Sequence, residues 1–164
     1  MTELNFVFGD PRVCSGCMTC ANVCSMYYYK VISPARARNR VLRIEPALDF
    51  PLFCRNCEDA PCIAACPEQA LLRTSKGIVI VNNKKCVGHG ECVKACPYYA
   101  IQIHPDTGKA FKCIQCGECV DRCPADALFM TTEKDLAEKD KDGSMRMLYE
   151  QHKEEIYSKE EEWR

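Results

Sequence analysis

No stretch of about 18 apolar residues occurs in this 164-residue sequence, so no membrane span is expected. Nor is an export leader expected: Met1-Thr2-Glu3-Leu4-Asn5-Phe6 opens short and acidic, with no basic segment ahead of an apolar core. That speaks against an exported disulfide scaffold and predicts a cytoplasmic location, where thiols stay reduced. Charge of one sign is missing as well. The formal net charge is −1, which gives no global basic field for nucleic acid. Neither a glycine-rich phosphate loop at a strand–helix junction nor a C-x3-C-x2-C triplet is present. No residue set suggests bond-making chemistry on a substrate.

What the sequence has in excess is cysteine, fifteen of 164 residues, a share that marks either a disulfide scaffold or a metal protein. The cysteines fall into four groups. Cys14, Cys17, Cys20 and Cys24 are spaced C-x2-C-x2-C-x3-C. Cys54, Cys57, Cys62 and Cys66 are spaced C-x2-C-x4-C-x3-C, with Pro67 following. Cys86, Cys92 and Cys96 precede Pro97; Cys113, Cys116, Cys119 and Cys123 repeat the first spacing and precede Pro124. The segments CPEQAL (66–71), CPYYAI (96–101) and CPADAL (123–128) form an internal repeat: cysteine, proline, a short turn, then an apolar residue opening a strand. Ser25 stands where the first group would have its proline.

Between the groups, strands are predicted at Leu4–Phe8, Val41–Glu45, Ile78–Val81, Ile101–His104 and Ala110–Lys112, with a hairpin turn at Asp106-Thr107-Gly108. The third and fourth cysteines of each group are one turn apart and are expected on a short helix. Arg36, Arg38, Arg40 and Arg43 read as a solvated loop face, with partner docking as the alternative. Past Thr132 the chain has no cysteine and is rich in Glu, Lys and Asp. Asp142-Gly143-Ser144 reads as a break and N-cap before a helix over Met145–Glu162, with Met145, Leu148, Ile156 and Trp163 roughly on one stripe. Such a tail either folds back on its own domain or docks on a neighbouring subunit. The need to place Trp163 favours docking.

An iron–sulfur cubane needs four ligands, and soft thiolate suits iron. C-x2-C-x2-C wraps one tight loop around three irons; Ser15, Gly16 and Gly117 let backbone N–H groups approach the sulfurs. The fourth cysteine, one turn on, faces a second cluster in two-cluster proteins. Zinc is the competing reading. Its ligands commonly come as two pairs a dozen or more residues apart, whereas here three or four crowd into about eleven to thirteen residues. Four cubanes need sixteen ligands. Fifteen cysteines are present, and His89 in Cys86-Val87-Gly88-His89-Gly90-Glu91-Cys92 keeps the x2-x2 register. His89 either ligates the fourth iron or stands beside an empty corner, leaving [3Fe–4S]; its register favours ligation. His104 and His152 fall outside any such frame and read as surface residues.

At these motifs the chain resembles the four-cluster iron–sulfur subunits of the dimethyl-sulfoxide-reductase, formate-dehydrogenase and hydrogenase-linked family. CRNCEDAPCIAACPEQAL (54–71) resembles the family's second motif and CVKACPYYAI (92–101) its third. The resemblance implies an α+β, duplicated ferredoxin fold and an electron-transfer role. It also implies four [4Fe–4S] clusters, held by Cys14, Cys17, Cys20 and Cys123; Cys113, Cys116, Cys119 and Cys24; Cys54, Cys57, Cys62 and Cys96; and Cys86, His89, Cys92 and Cys66. Residues 1–132 would form the polyferredoxin domain, with the half built from 54–96 inserted in the half built from 14–24 and 113–123. Residues 133–164 would be a charged, subunit-docking helical tail. The nitrate-reductase member also lacks the second cysteine of the third motif and carries a three-iron cluster there. The compact fourth group and the opening FGDPRVCSGCMTCANVCS look most like the small subunit of tungsten-containing aldehyde oxidoreductases. That likeness implies a large tungstopterin or molybdopterin partner, a flavin subunit that uses NAD, and possible self-association through the tail.

Overall fold

A computed structural model describes residues 4–162. Its β-structure is four separate two-stranded antiparallel ribbons. β1 (Phe6–Gly9) pairs with β8 (Leu128–Thr131), so the two ends of the cysteine-rich region meet, with Phe6 opposite Thr131. β2 (Arg40–Ile44) pairs with β3 (Leu48–Leu52), β4 (Leu71–Arg73) with β5 (Val79–Val81), and β6 (Ile101–Ile103) with β7 (Ala110–Lys112). The mixture of small sheets and short helices is the expected α+β class. The Asp106-Thr107-Gly108 turn joins β6 to β7, closed by the His104 N–H on the Lys109 carbonyl at 2.8 Å. β3 was not foreseen. It contains Pro51, which lowers strand propensity but is tolerated in a ribbon whose outer edge is unpaired.

Two-stranded ribbons are marginal alone, and here they converge on a core in which eight of the twenty buried residues are cysteine. Val7, Leu71, Val79, Ile101 and Leu128 pack together with buried Cys20, Cys54, Cys62, Cys86, Cys92, Cys96, Cys113 and Cys119.

The helix expectation holds fully only for the first group, where Cys20 and Cys24 share α1 (Thr19–Tyr29). In the second and third groups α2 (Pro61–Ala64) and α3 (Glu91–Lys94) stop before the last cysteine, and the fourth group has turns only. Proline is the cause. A residue that precedes proline avoids the helical region, so Cys66, Cys96 and Cys123 end their segments, whereas Ser25 lets α1 continue.

Two surface assignments are corrected. His104 is buried between the rings of Tyr29 and Phe111, 5.0 and 5.1 Å away, and its Nδ1 accepts the Asp106 N–H at 3.2 Å. His152 is half-buried against Phe50. The arginine run is not one solvated face: Arg36 pairs with Asp106 at 2.7 Å, Arg43 with Asp49 at 2.9 Å, and Arg38 stacks on Tyr28.

The tail is three helices, α4 (Glu133–Lys139), α5 (Ser144–Gln151) and α6 (Lys153–Glu162), where the sequence suggested one break and one long helix. Thr132 caps α4 by accepting the Asp135 N–H at 3.1 Å. The N-cap of α5 is Gly143 at φ 69°, within the expected Asp142–Ser144 segment; Asp142 accepts the Ser144 N–H at 3.2 Å, and the buried Asp140 carboxylate accepts those of Met145 and Arg146. Met145 packs on Phe6, Phe8 and Leu136, and Ile156 on Leu42, Ile44, Phe50 and Leu52. The Tyr149 hydroxyl donates to the carbonyls of Gly9 and Pro51. The stripe is thus folded back on the chain's own domain. Trp163 lies outside the described residues. Among the described residues, no helix is long and apolar enough to cross a membrane.

Candidate metal centres

All fifteen cysteines are free thiols, and the fold gathers them into four constellations, sites 1 to 4. Cys20 lies within electrostatic reach of Cys14, Cys17 and Cys123 (site 1). Cys24, Cys113, Cys116 and Cys119 line one gap (site 2); Cys54, Cys57, Cys62 and Cys96 line a second (site 3); Cys66, Cys86, His89 and Cys92 line a third (site 4). In every site three side chains come from one group and the fourth from its partner group. The pairing of β1 with β8 joins the first group to the fourth, and the stacking of α2 on α3 joins the second to the third.

The gaps of sites 2, 3 and 4 are each ringed by four donors, all thiols in sites 2 and 3 and three thiols with the His89 imidazole in site 4.

The backbone repeats as well. Two residues after the first cysteine of each group the chain turns left-handed: Gly16 (φ 65°), Asn56 (49°), Gly88 (85°) and Gln115 (62°). Two residues before the third it does so again, at Met18 (60°), Ala60 (28°), Gly90 (81°) and Gly117 (81°). These paired left-handed turns swing the intervening residue outward and aim N–H groups inward. The N–H groups of Asn56 and Gln115 point at Cys54 and Cys113 sulfurs, both at 3.4 Å. A third left-handed position follows each Cys-Pro, at Gln69 (48°), Tyr99 (51°) and Asp126 (49°). After it the N–H groups of Ala70 and Ala100 reach Cys66 and Cys96 sulfurs at 3.3 and 3.4 Å. Further donors to sulfur are Arg38 N–H on Cys24 at 3.2 Å and Ala110 N–H on Cys86 at 3.3 Å.

His89 occupies the place of a second cysteine in this scheme. It sits between left-handed Gly88 and Gly90, as Cys17 sits between Gly16 and Met18 and Cys116 between Gln115 and Gly117. Like the exposed Cys17 and Cys116, it faces outward, with its side chain 41% exposed. Its Nε2 stands 3.9 Å from Glu68 Oε1, another residue lining the site 4 gap. A Cβ on Gly88 would overlap the Gly108 carbonyl oxygen, so only glycine fits there.

Burial opposes ionisation at most of these sulfurs. Desolvation, reinforced by neighbouring thiols, pushes Cys20, Cys62 and Cys119 up to about 12 and Cys92 to about 11. Fully buried Cys113 is pushed up too. Cys17 moves the other way, lowered by its hydrogen bond with Thr19, 3.3 Å distant. Four crowded thiolates are costly by themselves and favourable around a positively charged core. The donor set therefore fits a metal–sulfur group.

Sequence reasoning missed the left-handed residues. Glycine at 16, 88, 90 and 117 was a signal for them; nothing in the residue type marks Gln115 or Met18. It also missed the buried Ala70, Ala100 and Ala127, whose identical place in the CPxxA repeat was visible.

Comparison with known proteins adds an independent line. A family model described as 4Fe–4S dicluster domain matches residues 47–134, and one described as 4Fe–4S binding domain matches residues 11–27. The chain is 41% identical over 96 residues to the polyferredoxin-like subunit of aliphatic sulfonate oxidoreductase from Pyrococcus furiosus, covering 58% of this chain and 56% of that protein. It is 31% identical over 122 residues to the thiosulfate reductase electron transfer subunit PhsB of Salmonella typhi, covering 68% and 62%. With a tetrathionate reductase subunit of Salmonella typhimurium the identity is 33%, covering 63% and 44%. The chain thus spans between about two fifths and three fifths of the length of these relatives. A chain of the BamBC active site complex of benzoyl coenzyme A reductase matches at 24% identity, 80% of this chain, 77% of that chain and TM-score 0.48, too weak a likeness to bear on function.

Proposed function

Since the chain belongs to the 4Fe–4S dicluster family, matched over more than half its length, we propose that it is an electron-transfer subunit. In this reading, sites 1 to 4 hold four clusters and pass single electrons between a catalytic oxidoreductase subunit and a second redox partner. The bound clusters supply one-electron redox chemistry; the chain's residues hold them, shield them from water and set their potentials. The observation that carries this reading is the fourfold recurrence of the left-handed backbone around an outward second ligand, with the fourth sulfur supplied by a partner group. It also supports the duplicated-half organisation and His89 as the ligand completing site 4, which gives four [4Fe–4S] clusters rather than three and a [3Fe–4S].

The order proposed for the sites is supported by their neighbours. Cys119 of site 2 lies within electrostatic reach of Cys20 of site 1, and Cys113 of site 2 within that of Cys54 of site 3. Sites 3 and 4 share the second and third groups. The sequence of sites is 1–2–3–4, a row with two ends. For the partner at one end we propose a tungstopterin or molybdopterin subunit, on the strength of the motif resemblance and of relatives named as oxidoreductase and reductase subunits. A flavin subunit using NAD is the proposed other partner, in the cytoplasm. The outer face of the tail, with exposed Met147, is the proposed self-association surface.

Anaerobic purification tests this. The expected product is brown, with about sixteen irons and sixteen acid-labile sulfides per chain, and brings down a large pterin-containing subunit. A colourless, zinc-loaded protein would end the reading. A brown protein with no partner would leave a freely diffusing polyferredoxin.

A further inference from the structure

Lys112 is 1% exposed, although lysine is almost never fully buried without a partner of opposite charge. Its Nζ donates to the Val79 carbonyl at 2.5 Å, to the Cys113 carbonyl at 3.1 Å and, in a longer contact, to Asn56 Oδ1 at 3.5 Å. An ammonium has three N–H groups and no acceptor; here three neutral oxygens surround it, so the charge is solvated by the protein without being cancelled. The place is specific. Cys113 is a site 2 residue, and Asn56 donates its own N–H to Cys54 of site 3. On the other side of Cys113, Gln115 spans the same seam: its N–H meets the Cys113 sulfur, its amide nitrogen donates to the Cys54 carbonyl, and its Oε1 accepts the Val7 N–H.

We propose that Lys112 sets the potentials of the two interior clusters, raising those of sites 2 and 3 above the value their ligands alone would give. The proposal rests on the assignment of clusters to those sites. Reduction adds one electron, and so one negative charge, to a cluster. A fixed positive charge in the seam favours that reduced state at both neighbours, and burial keeps salt from screening it. Sites 1 and 4, at the ends of the row, feel it less. The interior of the wire then accepts electrons more readily than it would without the lysine.

The test is a potentiometric titration, followed by electron paramagnetic resonance, of the cluster-loaded full chain and two variants. Lys112→Met removes the charge and keeps the length. Asn56→Asp adds a neutralising carboxylate at a left-handed position that aspartate tolerates. In both, two of the four midpoints are expected to fall by at least tenfold in the reduction equilibrium constant, about 59 mV for one electron. The other two are expected to move less, and the shift to persist at high salt. Unchanged midpoints, or an equal fall in all four, overturn the proposal. Failure of both variants to load clusters also overturns it, by making Lys112 a structural strut. A wild-type chain without clusters would instead remove the functional reading beneath it.

Discussion

The cysteine-rich body and the tail are built on opposite principles. The body, from Phe6 to Thr131, has only two-stranded ribbons and one- to three-turn helices around a core in which sulfur replaces much of the hydrocarbon. The tail has helices with ordinary caps and a few large apolar anchors, Met145 and Ile156 at 1% and 2% exposure. In the proposed reading the body depends on what fills its cysteine-ringed gaps, while the tail is held by its anchors packed on the body's Phe6, Phe8 and Phe50. Loss of all metal should therefore disturb both regions, whereas weakening a tail anchor should disturb the tail alone.

The largest effect is expected from removing the metal. Chelation under reducing conditions should abolish the cooperative thermal transition of the body, read by circular dichroism; an apo chain melting like the loaded one would break the contrast. Next, Gly88→Ala puts a Cβ into the Gly108 carbonyl and strains a left-handed turn. One cluster's worth of iron, about four atoms, should be lost while the tail stays folded. Tail substitutions should do the reverse. Ile156→Ala should cost about 2–5 kcal/mol and increase protease access beyond Thr132, with iron content unchanged. His89→Cys should retain full iron and lower one midpoint potential, since histidine ligation raises it; a three-iron signal in freshly isolated wild type would argue against ligation. The smallest effect is expected at the α4 cap, where Thr132→Ala should cost about 1 kcal/mol, seen as earlier amide exchange in α4 alone.

Sequence and structure agree most where chemistry dictates spacing. The four groups, the CPxxA repeat and the β6–β7 turn were legible because cysteine, proline and glycine each have few structural uses. The tail was less legible. Its anchors were recognised, but its folding back depends on partners such as Phe8 and Phe50, more than 90 residues distant in the chain. His104 was misjudged because a lone histidine after a strand carries no local mark of burial; only the Tyr29 and Phe111 rings create its pocket. Lys112 ends a predicted strand, and nothing near it in the sequence announces that its side chain turns inward across the seam. The left-handed positions were half visible, as glycine in some groups and as Met18, Ala60 or Gln115 in others, because the surrounding loop enforces them wherever residue preference does not.

The pairing of β1 with β8 has a consequence for biosynthesis. As the polypeptide leaves the ribosome, the segment holding residues 54–96 has all of its own proposed ligands and can mature at once. In the proposed assignment Cys14, Cys17 and Cys20 would wait for Cys123, roughly a hundred residues later, or about 5–20 s of translation. During that interval the earliest-made thiols would stand open to oxidants, so the last-closed centre is the one most exposed to oxidation during synthesis.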